Sequence, residues 1–258
     1  MRRGAVFVTI AALLVAPFFA RADHATAARG DLPPVILWAW ERPEDLRFLD
    51  PHETGVAFLA ETIRLSPSGS IVRPRLQPLR VPRGTALVAV VRIETARTPH
   101  FRADESDLAR QIAALEIFPG VRSIQIDFDA RRSEFAFYRA LLEDLRRRLS
   151  PATGLSITAL ASWCLGDRWL DELRPGTIDE AVPMLFRMGP DAVDVATRLQ
   201  SGRPFVEPAC RTSLGVSTDE SFSRAILRAD GRRSRLYVFH PHSWSAATVN
   251  AMLAARAR

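Results

Sequence analysis

The sequence predicts an α/β fold, a single (β/α)8 TIM-type barrel with a β-hairpin insertion after its second strand. Three observations predict it. Eight short strand-like runs alternate with helix-period segments from residue 34 onward, the pattern of a parallel sheet with crossover helices. Of the 258 residues, about 235 remain once a leader is set aside, within the range in which such barrels form one domain. No glycine-rich phosphate loop follows an early strand, and eight strands exceed the usual number in a doubly wound open sheet, the competing architecture.

The first element is not part of the barrel. Arg2 and Arg3 precede an apolar run from Ala5 to Ala20, and Ala20-Arg21-Ala22 supplies small residues at a cleavage position. That reads as a secretory signal peptide over 1–22, followed by a linker over 23–33 and the barrel over 34–258. The run is short for a membrane span and no later segment is long enough. The mature chain is therefore expected outside the cytoplasm, periplasmic or extracellular, with no transmembrane segment after signal cleavage. The paired arginines match twin-arginine export poorly, so ordinary secretion is the better reading. No Cys follows the run to take a lipid.

Strands are read at 35–40, 55–65, 86–94, 123–129, 155–162, 180–186, 213–217 and 235–240. Asp104 to Phe118 carries Leu108, Ile112 and Leu115 on one helical face. Ser133 to Leu149 opens on a capping-type Ser and carries Phe135, Tyr138, Leu142 and Leu145. Shorter helical patterns cover 168–173, 191–200, 220–229 and 245–257. Residues 61–84 break the alternation, and the turn chemistry of Ser66 to Ser70 predicts a hairpin there.

Formal net charge is +6, from 35 basic and 29 acidic residues, with no lysine. The arginines are scattered, and the densest cluster, Arg146-Arg147-Arg148, falls at a helix end where cations suit the dipole. No nucleic-acid motif and no protein partner surface emerge. Cys164 and Cys210 in an exported chain suggest a disulfide. The topology argues the other way, placing them at opposite ends of the barrel unless RPFVEPACRTS folds back over the rim, so the pairing stays open.

Chemistry is sought at the C-terminal ends of the strands, where active sites of such barrels lie. Alternation turns Gln125, Asp127 and Asp129 inward. Two inward acids raise one another's pKa, which lets one stay protonated as a general acid beside an ionised partner. Asp129 is read as the acid and Asp127 as its electrostatic partner, with Glu94 and Glu41 as candidate base or nucleophile. The alternative is structural, Asp129 capping a turn and Asp127 neutralised by Arg92 or Arg187. Trp40, Trp163 and Trp244 are candidate sugar platforms or core fillers. Arg92, Arg187, Asp219 and His240 complete the candidate substrate contacts. His240 and His242 form an H-x-H pair that, facing the two acids, would make a metal site, although one His hydrogen-bonded in the site and the other on a loop is preferred. No metal and no cofactor are expected.

The runs PPVILWAWERPEDLRFLD, GVAFLAETIRL, RPRLQPLRVPRGT, VVRIE, IQIDFDA, SITALASWC, DEAVPMLFRMG and GVSTDE, in order along nearly the whole mature chain, resemble the bacterial family catalogued as domain of unknown function 3142. That resemblance implies a barrel related to glycoside hydrolases and no particular activity. More distantly, RSIQIDFD is similar to the D-x-x-D-x-D-x-E motif of family 18 chitinase-like barrels. The similarity implies the general-acid position for Asp129, with Arg122 and Gln125 where the first two acids stand. MLFR replaces that family's Met-x-Tyr-Asp, so Phe186 and Arg187 stand where the N-acetyl group is held, and the architecture carries over further than the reaction.

The leading expectation is an exported glycoside hydrolase-like barrel acting on, or recognising, an envelope or extracellular polysaccharide, with a carbohydrate ligand. A non-catalytic glycan-binding barrel and a metal-dependent polysaccharide hydrolase or deacetylase using Asp127, Asp129, His240 and His242 are the alternatives.

Overall fold

The computed structural model describes residues 32–96, 101, 103–189, 192–221 and 234–256. The expected signal peptide, nearly all of the expected linker and most of the helix expected over 220–229 lie outside the described residues.

Eight parallel strands close into a barrel in the order β1 (Val35–Ala39), β3 (Thr54–Ser66), β6 (Leu87–Thr95), β7 (Val121–Asp127), β8 (Gly154–Leu160), β9 (Glu180–Met184), β10 (Ser213–Ser217) and β11 (Arg235–Phe239). β1 closes the ring on β3, from Val35 opposite Thr54 to Ala39 opposite Phe58. The antiparallel partner of β3 is β4 (Gly69–Pro74), joined at Ser66 and Gly69, so the expected hairpin stands where a second helix would otherwise lie. Two short strands not foreseen in the sequence, β2 (Glu44–Asp45) and β5 (Leu79–Arg80), pair in parallel outside the barrel.

Each side of the sheet has its own core. Ile36, Trp38, Ala57, Val88, Val90, Val182 and Tyr237 fill the barrel, with Trp40, Met184, Phe186 and Phe239 packed above them. The other face of the same strands, including Leu37, Ile124, Ile126, Ile157 and Val238, packs on the helices. The N-terminal end is closed by polar groups: Glu180 accepts from Arg235 Nη1 at 2.8 Å and from Tyr237 Oη at 2.7 Å.

A bulge at Ala60 changes the phase of β3. Ala57 and Leu59 lie opposite Val88 and Val90, but Glu61 then lies opposite Val91. One extra residue turns the following side chains to the other face. Glu61 thereby lands under the helices, 3.2 Å from the Gln111 amide, while Thr62 and Arg64 take the inner face.

Helix α1 (Glu105–Ala113) begins at Asp104, whose carboxylate accepts from the Ser106 and Asp107 amides. It buries Leu108, Ala109 and Ile112. Helix α2 (Phe135–Arg148) opens through a short 3-10 turn in which Glu134, rather than the expected Ser133, accepts from the Arg131 amide at 2.7 Å. At its other end Arg146 donates to the Thr153 and Ser150 carbonyls, and Arg147 and Arg148 pair with Asp144. Helices α3 (Ala161–Leu165), α4 (Ala192–Gln200) and α5 (Ala246–Arg256) complete the described outer layer.

Cys164 and Cys210 form a disulfide, with Cα atoms 5.9 Å apart. Before β10 begins, the segment over 203–210 runs back along α3, and the Val206 amide donates to the Cys164 carbonyl. That return removes the separation that argued against the bond.

Candidate active site at the barrel mouth

β6, β7 and β8 carry the polar side of the mouth. Gln125 is fully buried inside the barrel and donates to Ser156. Two residues further on, Asp127 accepts from Thr158 Oγ1 at 2.8 Å. Asp129 follows at the exposed rim. Solvent reaches Asp127 through the mouth, yet the groups crowded around it dominate. Burial pushes its carboxyl up to about 6, with the Asp129 charge adding and the Thr158 hydrogen bond and Arg92 opposing. Burial also raises Asp129, against the pull of Arg92. Behind the pair, in the outer layer, burial and the two carboxylates hold the Tyr138 hydroxyl far above its usual range.

Arg92 and Glu94 share the inner face of β6, joined Nε to Oε1 at 3.1 Å. Glu94 is also 3.5 Å from Arg64, which the Ala60 bulge has turned inward. Glu94 is thus brought to the pair. Glu41 is not: it lies in the bend beyond β1, exposed, with Arg75 the cation that feels its charge.

An aromatic row lines the opposite side. The Arg92 guanidinium sits over Trp40 at 5.4 Å, Trp40 stacks on Trp38 at 5.8 Å, Phe239 meets Trp38 edge-on at 6.4 Å, and Phe186 stacks on Phe239 at 5.6 Å. Arg187 lies over Phe239 at 5.6 Å, so a guanidinium rests near each end of the row. Of the expected platforms only Trp40 belongs to it. Trp163 is 2% exposed and packs between Phe135 and Trp169 in the layer between sheet and helices. Trp244 is 5% exposed, its Nε1 donating to the Trp38 carbonyl. Both are core residues, because their strands have already ended and the chain has turned outward over the barrel wall.

The third side of the mouth holds Asp219 and His240. Ser217 hydrogen-bonds Asp219 and lowers its pKa, while Arg187 gives its backbone N–H to Glu220 at 3.0 Å. His240 pairs Nδ1 with Thr218 Oγ1 at 2.6 Å and packs on Trp244; burial and the neighbouring His242 and Arg42 lower its pKa. His240 and His242 lie beyond the end of β11, and neither is among the charges that act on Asp127 or Asp129. Among the described residues, no three His, Cys, Asp or Glu side chains converge to hold a metal ion.

Sequence reasoning missed Thr158, Trp38 and Phe239 as site residues, although strand alternation places each on an inner face; Phe186, marked by its place in the chitinase-like motif, lies just beyond β9 and joins them. It also missed Arg75, which donates to the carbonyls of Ala39, Trp40, Arg42 and Gln77 and so holds the chain where Trp40 leaves β1. The chain matches no model of a known protein family and no curated protein.

Proposed function

We propose that this is an exported glycoside hydrolase-like protein that cleaves an envelope or extracellular polysaccharide in the mouth of its barrel. One observation carries the reading: the Asp127 and Asp129 carboxyl pair shares the mouth with three half-buried aromatic rings, Trp40, Phe186 and Phe239, packed over the buried Trp38. Aromatic faces stack on the apolar faces of sugar rings, and paired carboxyl groups of unlike protonation are what glycosidic cleavage requires.

The burial contrast favours an exchange of the roles expected from the sequence. Asp127, displaced to about 6, holds the proton and delivers it to the departing glycosidic oxygen. Asp129, at the rim beside Arg92, stays ionised and stabilises the positive charge that develops on the sugar ring as the C–O bond breaks. Water then bonds to the anomeric carbon and gives up its proton, with Glu94 the further carboxylate within the mouth to receive it.

The test is sugar release from a panel of bacterial and host polysaccharides by the mature protein, beside Asp127→Asn and Asp129→Asn, with folding checked by circular dichroism. Cleavage by the wild type and a loss of about a hundredfold or more in each folded variant is expected. Cleavage untouched by both substitutions overturns the assignment. A non-catalytic glycan-binding barrel is the second reading, favoured by the two arginines that flank Glu94. Saturable binding by wild type and both variants, with no bond cleaved, selects it.

A further inference from the structure

The aromatic row ends in cations, and this bears on which glycans fit. A guanidinium held over an aromatic face by cation–π attraction still has N–H donors to spare, and its planar fork suits a carboxylate or sulfate. Arg92 lies 5.4 Å from the Trp40 centroid and Arg187 5.6 Å from that of Phe239, with Trp38 between the two rings. Arg92 shares its charge with Glu94. Arg187 is exposed and, among the described residues, forms no ion pair; its charge reaches Asp219, but that carboxylate is already held by Ser217.

Its backbone is also unusual. Arg187 has φ 53°, and it is the single non-glycine residue with positive φ among the described residues. A side-chain-bearing residue takes up that conformation at a cost, and such positions gather at ligand sites. The bond from its amide to Glu220 secures the turn, which carries the side chain over Phe239.

We propose that the glycan this barrel takes is acidic, its carboxylate or sulfate groups held by Arg187 and Arg92 at the two ends of the aromatic row. The inference rests on the glycan reading of the mouth. Arg2, Arg3 and Arg21 of the leader supply three of the six formal positive charges, so the mature chain keeps a net charge of +3; that excess draws a polyanion weakly, and the two guanidiniums over the rings give the attraction a fixed place. The acids of β7 then meet the bond between residues whose charges are held away from them. Carboxylated and sulfated sugars share the chemistry, and the ligands below separate them.

The experiment is calorimetric titration of the mature protein, in about 0.15 M salt, with four oligosaccharides of matched length: an oligogalacturonate, its carboxyl-reduced form, a sulfated glucan and the unsulfated glucan. At least one acidic ligand is expected to bind about tenfold or more tightly than its uncharged counterpart. Arg187→Gln is expected to remove roughly tenfold of that preference while leaving the uncharged ligand unaffected. Arg122→Gln removes the same charge at the opposite end of β7 and is expected to change affinity by less than about twofold. Equal binding of charged and uncharged ligands overturns this proposal and leaves the glycan reading standing. An equal loss in Arg122→Gln overturns it too, since the attraction is then diffuse. Binding of none of the four, together with no sugar release from the polysaccharide panel, overturns both.

Discussion

Thr158 Oγ1 donates to Asp127 Oδ1 at 2.8 Å across neighbouring strands of the barrel, and it works against the burial that pushes that carboxyl up to about 6. β8 thereby sets how firmly β7 holds its proton. A hydrogen bond to the charged form favours it, so the donor limits a displacement that burial alone would carry further.

Thr158→Val keeps the shape and removes the donor. The Asp127 carboxyl is expected to rise further, by roughly one unit. A carboxyl-carbon NMR titration measures it directly, and the alkaline limb of any hydrolytic pH profile should move upward with it. An unchanged or lowered titration would show that the bond does not favour the charged form.

Asp127 should also leave a mark on stability. Its folded carboxyl, near 6, lies above the ordinary 3.8. Between those two values the unfolded chain has released a proton that the folded chain retains, so stability falls as pH rises through the window and the full deficit persists above it. Asp127→Asn carries no such deficit. It is expected to be more stable than wild type at neutral pH, by on the order of 2 kcal/mol, with the gap closing below about pH 4. Urea midpoints across pH measure this; a gap independent of pH counts against it.

Arg75→Ala withdraws donors from the carbonyls at the end of β1. A loss of about 1–3 kcal/mol in urea unfolding is expected, and lysine should not restore it because an ammonium lacks the planar fork. Glycan affinity should fall with it, since Trp40 leaves β1 at that point. Full rescue by Arg75→Lys would show that charge alone matters there.

The Cys164–Cys210 bond spans a separation of 46 residues. Closing a loop of that size in the unfolded chain corresponds to about 4 kcal/mol in the chain-entropy account. The Cys164→Ala/Cys210→Ala variant should lose a large part of this in denaturant unfolding. A variant as stable as the wild type would mean that the fold-back over 203–210 holds without the bond.

Several features of the mouth were within reach of the sequence, and others were not, for one reason. β7 alternates from Ser123 to its end, so Gln125 and Asp127 fall on one face, while Asp129 lies beyond the strand and is tied to the mouth by the charges of Asp127 and Arg92. The same rule reaches Trp38 and Phe239, which were passed over because an aromatic residue on an inner face reads equally well as core. β3 defeats the rule at Ala60, where a bulge reverses the phase and sends Glu61 outward and Arg64 inward. The partner ladder on β6, not the local sequence, decides that reversal. Glu41, Trp163, Trp244 and the two histidines were judged from their closeness to a strand end. Beyond that end period-2 alternation no longer holds, and the course of the loop sets the side chain.

By itself the sequence determined the eight-stranded order, the hairpin after the second strand and the inward Asp127, because each follows from periodicity within about ten neighbouring residues. The tertiary structure alone decided which tryptophans meet the mouth, that Cys210 returns to Cys164, and that Arg92 and Arg187 bracket one aromatic row. These contacts join distant parts of the chain: the Trp244 side chain meets the Trp38 carbonyl 206 positions away. No local pattern encodes such a meeting, and closure of the barrel brings it about.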